Sequence, residues 1–80
     1  MTRTELEQNA KKLNYKLASE YKCEVTGVTH ISFTLGRGVY QWFNVYDNNM
    51  AVWTYSYSQR NGKTTKTRNE TAWRLCIPNY

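Results

Sequence analysis

VYQWFNVYDNNMAVWTYSY, residues 39–57, places seven aromatic rings within nineteen residues. It reads as two strands around a turn. Val39–Tyr46 and Met50–Gln59 are rich in aromatic and β-branched residues, while Asp47-Asn48-Asn49 between them tolerates positive φ. The length of that turn decides which way the rings point, because a one-residue slip exchanges the two faces of a strand. With Asn48-Asn49 as a two-residue loop, Trp42 faces Tyr55, Tyr40 faces Tyr57 and Asn44 faces Trp53, so these rings share one side. With a three-residue loop the second strand flips, and Trp53, Tyr55 and Tyr57 turn inward against Leu13 and Leu17. The sequence leaves both registers open.

Upstream, Ile31, Phe33 and Leu35 alternate with His30, Ser32 and Thr34, the pattern of a half-buried strand, with Gly27 marking a bulge at its start. Gly36-Arg37-Gly38 then makes a tight turn. Taken as three residues, it sets Leu35 opposite Val39, Phe33 opposite Gln41 and Ile31 opposite Phe43. Downstream, Asn61-Gly62 is the strongest hairpin signal in the chain and opens a fourth strand from Lys63 to about Glu70. A two-residue loop there pairs Arg60 with Lys63, Tyr57 with Lys66 and Tyr55 with Arg68, and on the other side Ser58 with Thr65 and Ser56 with Thr67. The ending TAWRLCIPNY supplies a short strand or a helical turn, stopped near Pro78.

The first third carries a helical period. Thr2 and Thr4 each have a Glu three residues on, the capping-box spacing, and Leu6, Ala10, Leu13, Leu17 and Tyr21 form one apolar stripe. Glu7–Lys11 and Lys16–Glu20 add ion pairs at four-residue steps. The predicted helix runs from about Thr4 to Tyr21. The fold class is therefore α+β: one N-terminal helix packed on one face of an antiparallel meander of four strands, with a fifth as an option. On the two-residue register, the helix-facing side carries Ile31, Phe33, Leu35, Val39, Phe43, Val45 and Val52. The other side carries Tyr40, Trp42, Tyr46, Trp53, Tyr55 and Tyr57, flanked by Lys66 and Arg68.

Eighty residues suit a single domain, 1–80, and 40% apolar residues suffice for a modest core. No run reaches the roughly 18 apolar residues of a membrane span, and no signal-peptide pattern opens the chain, which points to a cytoplasmic protein without membrane contact. Cys23 and Cys76 are then expected as buried thiols rather than a disulfide. Asn69-Glu70-Thr71 matches a glycosylation acceptor, a chance match in that compartment.

Catalytic chemistry finds no foothold. His30 is the only histidine and falls on the outer side of its strand, and the six acids are scattered without a paired arrangement. No cofactor fingerprint or metal-ligand spacing occurs. What remains is binding. Aromatic rings on a sheet stack on bases or anchor protein interfaces, and cations neutralise phosphate. Eleven Lys and Arg against six acids give a net charge of +5, with Arg60, Lys63, Lys66 and Arg68 concentrated without an acid among them. The candidate binding residues are accordingly Tyr40, Trp42, Trp53, Tyr55, Tyr57, Arg60, Lys63, Lys66 and Arg68. The bland alternative is a set of cross-strand aromatic pairs that only stabilise the sheet.

In its size, solitary domain and lack of catalytic residues, the chain resembles the small proteins with which phages block host defences, anti-CRISPR proteins among them. That resemblance implies an inhibitor docked on a host protein or nucleoprotein complex, and the positive charge is unsuited to DNA mimicry. The other expected partner is single-stranded nucleic acid or an anionic nucleotide, and self-association through the aromatic face would give a homodimer.

Overall fold

The computed structural model describes residues 1–36, 38–58, 63–65 and 75, with residues 58 and 63–65 described through their backbone alone. One helix, α1 (Arg3–Lys12), precedes the strands β1 (Lys16–Lys22), β2 (Thr29–Gly36), β3 (Val39–Val45), β4 (Ala51–Ser58) and β5 (Lys63–Thr65). They form an antiparallel sheet in sequence order, β1-β2-β3-β4-β5. The α+β meander expected from the sequence is present, its four strands being β2 to β5. β1 is an addition. The ending read as a strand or helical turn lies outside the described residues, apart from Leu75, which is buried in the core.

α1 begins at a complete capping box. The Glu5 amide donates to Thr2 Oγ1 at 3.2 Å and the Thr2 amide donates to Glu5 Oε1 at 2.9 Å, which satisfies two otherwise free N–H groups. The helix then stops nine residues short of the predicted end at Tyr21. Asn14 adopts φ 63°, its amide donates to the Lys11 carbonyl at 3.2 Å, and the Tyr15 amide donates to Ala10 at 2.8 Å. This pair of reversed hydrogen bonds is the Schellman stop, with Asn in the left-handed position that glycine usually takes. Leu17 and Tyr21, which continued the helical stripe, belong instead to β1, where a ladder shift between Leu17 and Ser19 sets Leu17 opposite Phe33 and Tyr21 opposite His30. The predicted helical pair Lys16–Glu20 falls with the helix. Glu20 is bonded instead by Arg3 of α1, Nη2 to Oε1 at 2.6 Å, and Arg3 also meets Glu7 at 2.8 Å.

The core lies between α1 and one face of the sheet: Leu6, Ala10 and Tyr15 pack with Ile31, Phe33, Phe43, Val45 and Ala51. Phe43 is fully buried and meets Phe33 edge to face at 6.2 Å, a contact worth about 1 kcal/mol beyond the area it buries. The Ala51 amide donates to Met1 and the Arg3 amide to Asn49, tying the start of the helix to the β3–β4 turn.

The expected pairs Ile31–Phe43 and Phe33–Gln41 are found between β2 and β3. Leu35 does not face Val39. The ladder shifts between Thr34 and Gly36, Gly36 takes the place opposite Val39, and Leu35 is 51% exposed rather than inward. Gly27 marks no bulge but sits in the β1–β2 turn at φ 76°, its amide bonded to Cys23, where an added Cβ would come within 3.4 Å of Asp47 Oδ1.

Between β3 and β4 each of the two turn lengths holds for part of the ladder. Asp47-Asn48-Asn49 is a three-residue loop, with Asn49 at φ 67° and the Tyr46 amide bonded to Met50. It pairs Val45 with Ala51, Asn44 with Val52 and Phe43 with Trp53. The ladder then shifts, leaving Thr54 as an extra residue, and resumes as Trp42–Tyr55 and Tyr40–Tyr57. This bulge returns the second half of β4 to the two-residue register. As a result Trp53 faces the core instead of sharing the outer side, and Val52, expected inward, is 50% exposed. At the next hairpin Ser58 pairs with Lys63, Tyr57 with Thr64 and Ser56 with Thr65, two residues away from the register predicted for Asn61-Gly62.

Candidate functional site on the outer face

The face of the sheet away from α1 is built by alternation. On β3, Gln41, Phe43 and Val45 are buried toward the helix, so Tyr40, Trp42 and Asn44 point the other way. Their cross-strand partners follow them. Trp42 stacks on Tyr55 at 6.0 Å and 16°, and Tyr40 lies against Tyr57 at 6.3 Å and 39°. Across the sheet, Tyr21 of β1 stacks on His30 of β2 at 6.1 Å and 16°. Four of the five predicted aromatic binding residues, Tyr40, Trp42, Tyr55 and Tyr57, are thus together on this face, and all four are partly exposed.

The fifth is not there. Trp53 packs against the core, and its Nε1 donates to Gln41 Oε1 at 3.2 Å. Gln41 is itself fully buried and accepts a second bond from Ser56 Oγ. Trp53 therefore belongs to the inner layer and is no surface anchor. Of the predicted cations, Arg60, Lys66 and Arg68 lie outside the described residues, and Lys63 is placed by its backbone only, opposite Ser58.

An open cleft of about 440 Å³ crosses the outer face, lined by Tyr21, His30, Trp42, Asn44, Thr54 and Tyr55. The two ring stacks border it. Its remaining lining is polar: Asn44 Oδ1 lies 2.9 Å from His30 Nδ1, and the Thr54 hydroxyl donates to the Trp42 carbonyl at 3.1 Å. An amide oxygen can only accept, so His30 donates to it through Nδ1. The bulge makes this arrangement, because Thr54 joins the lining only as the extra residue of β4.

Three lining residues carried signals in the sequence that were not joined. The alternation of each strand places His30 and Asn44 on the outer side, and the Ile31–Phe43 register carried one residue further sets them opposite each other. Tyr21 was hidden by the helical stripe. Among the described residues no group of three or more His, Cys, Asp and Glu could hold a metal ion. Nor is any helix there long and apolar enough to cross a membrane. Cys23 is a free thiol. The Thr26 hydroxyl, followed by the Thr26 and Val25 amides, hydrogen-bonds its sulfur and lowers its pKa from the ordinary value.

Comparison with protein-family models, curated proteins and solved structures gives no match, so the geometry of the site carries the functional reading.

Proposed function

We propose that the protein is a non-catalytic binding module that docks on a protein or nucleoprotein complex through the outer face of its sheet, as an inhibitor of the anti-defence kind. The observation that carries this reading is the alignment of Tyr21, Tyr40, Trp42, Tyr55 and Tyr57 on the face opposite α1. Partly exposed Trp and Tyr side chains are the usual energetic anchors of interfaces, because they bury large areas at little entropic cost. A net charge of +5 suits a target with an acidic or phosphate-bearing surface. The experiment is capture of the target from native host lysate, with and without nuclease, by the tagged protein and by a Trp42→Ala/Tyr55→Ala variant. A target retained after nuclease and lost by the variant supports docking through this face. Equal capture by both proteins would refute it.

Direct binding of single-stranded nucleic acid or a nucleotide is the second reading. The ring-bordered cleft favours it, since stacking on such rings needs no particular sequence.

A further inference from the structure

The cleft is more specific than a docking surface requires. Its two walls are ring pairs, each nearly parallel at 16°. Besides the rings, the lining supplies the Asn44 amide and the Thr54 hydroxyl, and His30 adds polar nitrogens to its own wall. A flat heteroaromatic ligand matches both parts, presenting a π-face to the rings and a hydrogen-bonding edge to the polar groups. An aliphatic side chain would use neither. With His30 Nδ1 bonded to Asn44 Oδ1, the polar atoms left to a ligand are His30 Nε2 and the Asn44 Nδ2 donor. Neighbouring donors and acceptors of this kind are what an unstacked base offers on its open edges. The volume, about 440 Å³, lies within the range of small-ligand sites.

Charge points the same way. Among the described residues no acid lines the cleft. The chain as a whole carries a net charge of +5, which favours an anionic strand over this face. We propose that the cleft takes one unstacked nucleobase of a single-stranded nucleic acid, with the sugar–phosphate strand running over the outer face outside it. This inference rests on the reading that the outer face is the working surface. Because every base has a π-face and a mixed donor–acceptor edge, recognition should tolerate sequence.

The test uses purified protein and fluorescein-labelled single strands of about ten nucleotides, a length within the usual footprint of such sites. Anisotropy is compared between a mixed-sequence strand and an abasic strand of equal length and charge, at one low salt concentration. The base-bearing strand should bind at least about 5-fold more tightly, and Tyr55→Ala should weaken it by about 5- to 150-fold while leaving the abasic strand unaffected. Tyr21→Ala provides a variant that folds regardless, since Tyr21 is 63% exposed on an edge strand, and the same selective loss is expected. Equal affinity for both strands, no binding to either, or insensitivity to both substitutions would overturn the proposal. If the outer-face variant also loses a nuclease-resistant target while purified strands fail to bind, the base inference falls and docking stands. Failure of both assays removes the working surface itself.

Discussion

Replacing Trp42 and Trp53 separately by alanine tests the bulge that organises the outer face. The two indoles sit one pairing step apart on neighbouring strands but serve opposite layers. Trp53 lies partly buried against the core and hydrogen-bonds the fully buried Gln41. Deleting a buried aromatic ring costs about 3–5 kcal/mol. Partial exposure sets Trp53→Ala near the low end, about 3 kcal/mol. Gln41 Oε1 keeps Ser56 as a partner, so no orphaned acceptor adds to this. Trp42 loses chiefly its stack on Tyr55, about 1 kcal/mol. The difference of about 2 kcal/mol corresponds to roughly 8–16 °C in melting temperature for a domain of this size. Urea unfolding measures both, with unchanged slopes showing that only stability has moved. Equal losses, or a greater loss for Trp42→Ala, would refute the shift at Thr54 and return Trp53 to the surface.

Three further outcomes follow from local chemistry. Asn14→Gly should leave stability unchanged or raise it and Asn14→Ala should lower it by about 1 kcal/mol, read by urea melts, because the left-handed stop admits glycine freely and penalises a β-carbon. Burial pushes the Tyr15 hydroxyl up to about 12, and the group reaches toward Gln41 without closing a normal hydrogen bond. Since this folded value is raised above 10.0, the fold is unaffected by the group below pH 10 and loses stability as the pH climbs toward 12; ultraviolet titration should find a late tyrosine that Tyr15→Phe removes without loss of stability at neutral pH. Arg3, by its hydrogen bond, holds Glu20 below the ordinary carboxylate value of 4.5, and the Thr2 amide does the same for Glu5. Depressed values mean stability present above that pH and lost as it falls further, so acid melts should show a shallower decline in Glu20→Gln, and a matching decline would contradict the pairing.

The fold was legible wherever one local signal met no competitor. Two capping-box spacings, at Thr2 and Thr4, marked the start of the helix, of which the first is formed, and the Gly36-Arg37-Gly38 turn length gave Ile31 and Phe33 their partners on β3. The helix end was obscured because Leu13, Leu17 and Tyr21 satisfy the period of a helix, whereas the strand β1 that forms there, with its ladder shift between Leu17 and Ser19, carries no clean two-residue period. Asn14, the residue that decides between them, reads in sequence as an ordinary polar position. The β3–β4 pairing was half legible for a different reason. Each candidate turn length predicts one continuous register, and a bulge lets both apply in turn, so Tyr55 followed one rule and Trp53 the other. Bulges arise from the fit of the whole sheet, which a window of sequence does not contain. The site inherits both problems: Tyr40, Trp42, Tyr55 and Tyr57 follow the two-residue register to the outer face, Trp53 goes inward with its half-strand, and Tyr21 joins the face only because the helix ends early.

The central claim is that the face opposite α1 is the working surface, and the indole N–H signals of Trp42 and Trp53 report on the two faces separately. The decisive measurement is a nitrogen–proton correlation spectrum of labelled protein, assigned with Trp→Phe variants, during titration with the captured target or, where capture is nuclease-sensitive, with a single-stranded oligonucleotide. A shift or broadening of the Trp42 indole, with the Trp53 indole unmoved, is the predicted result. A response at Trp53 with Trp42 unchanged would place binding on the helix side and contradict the account.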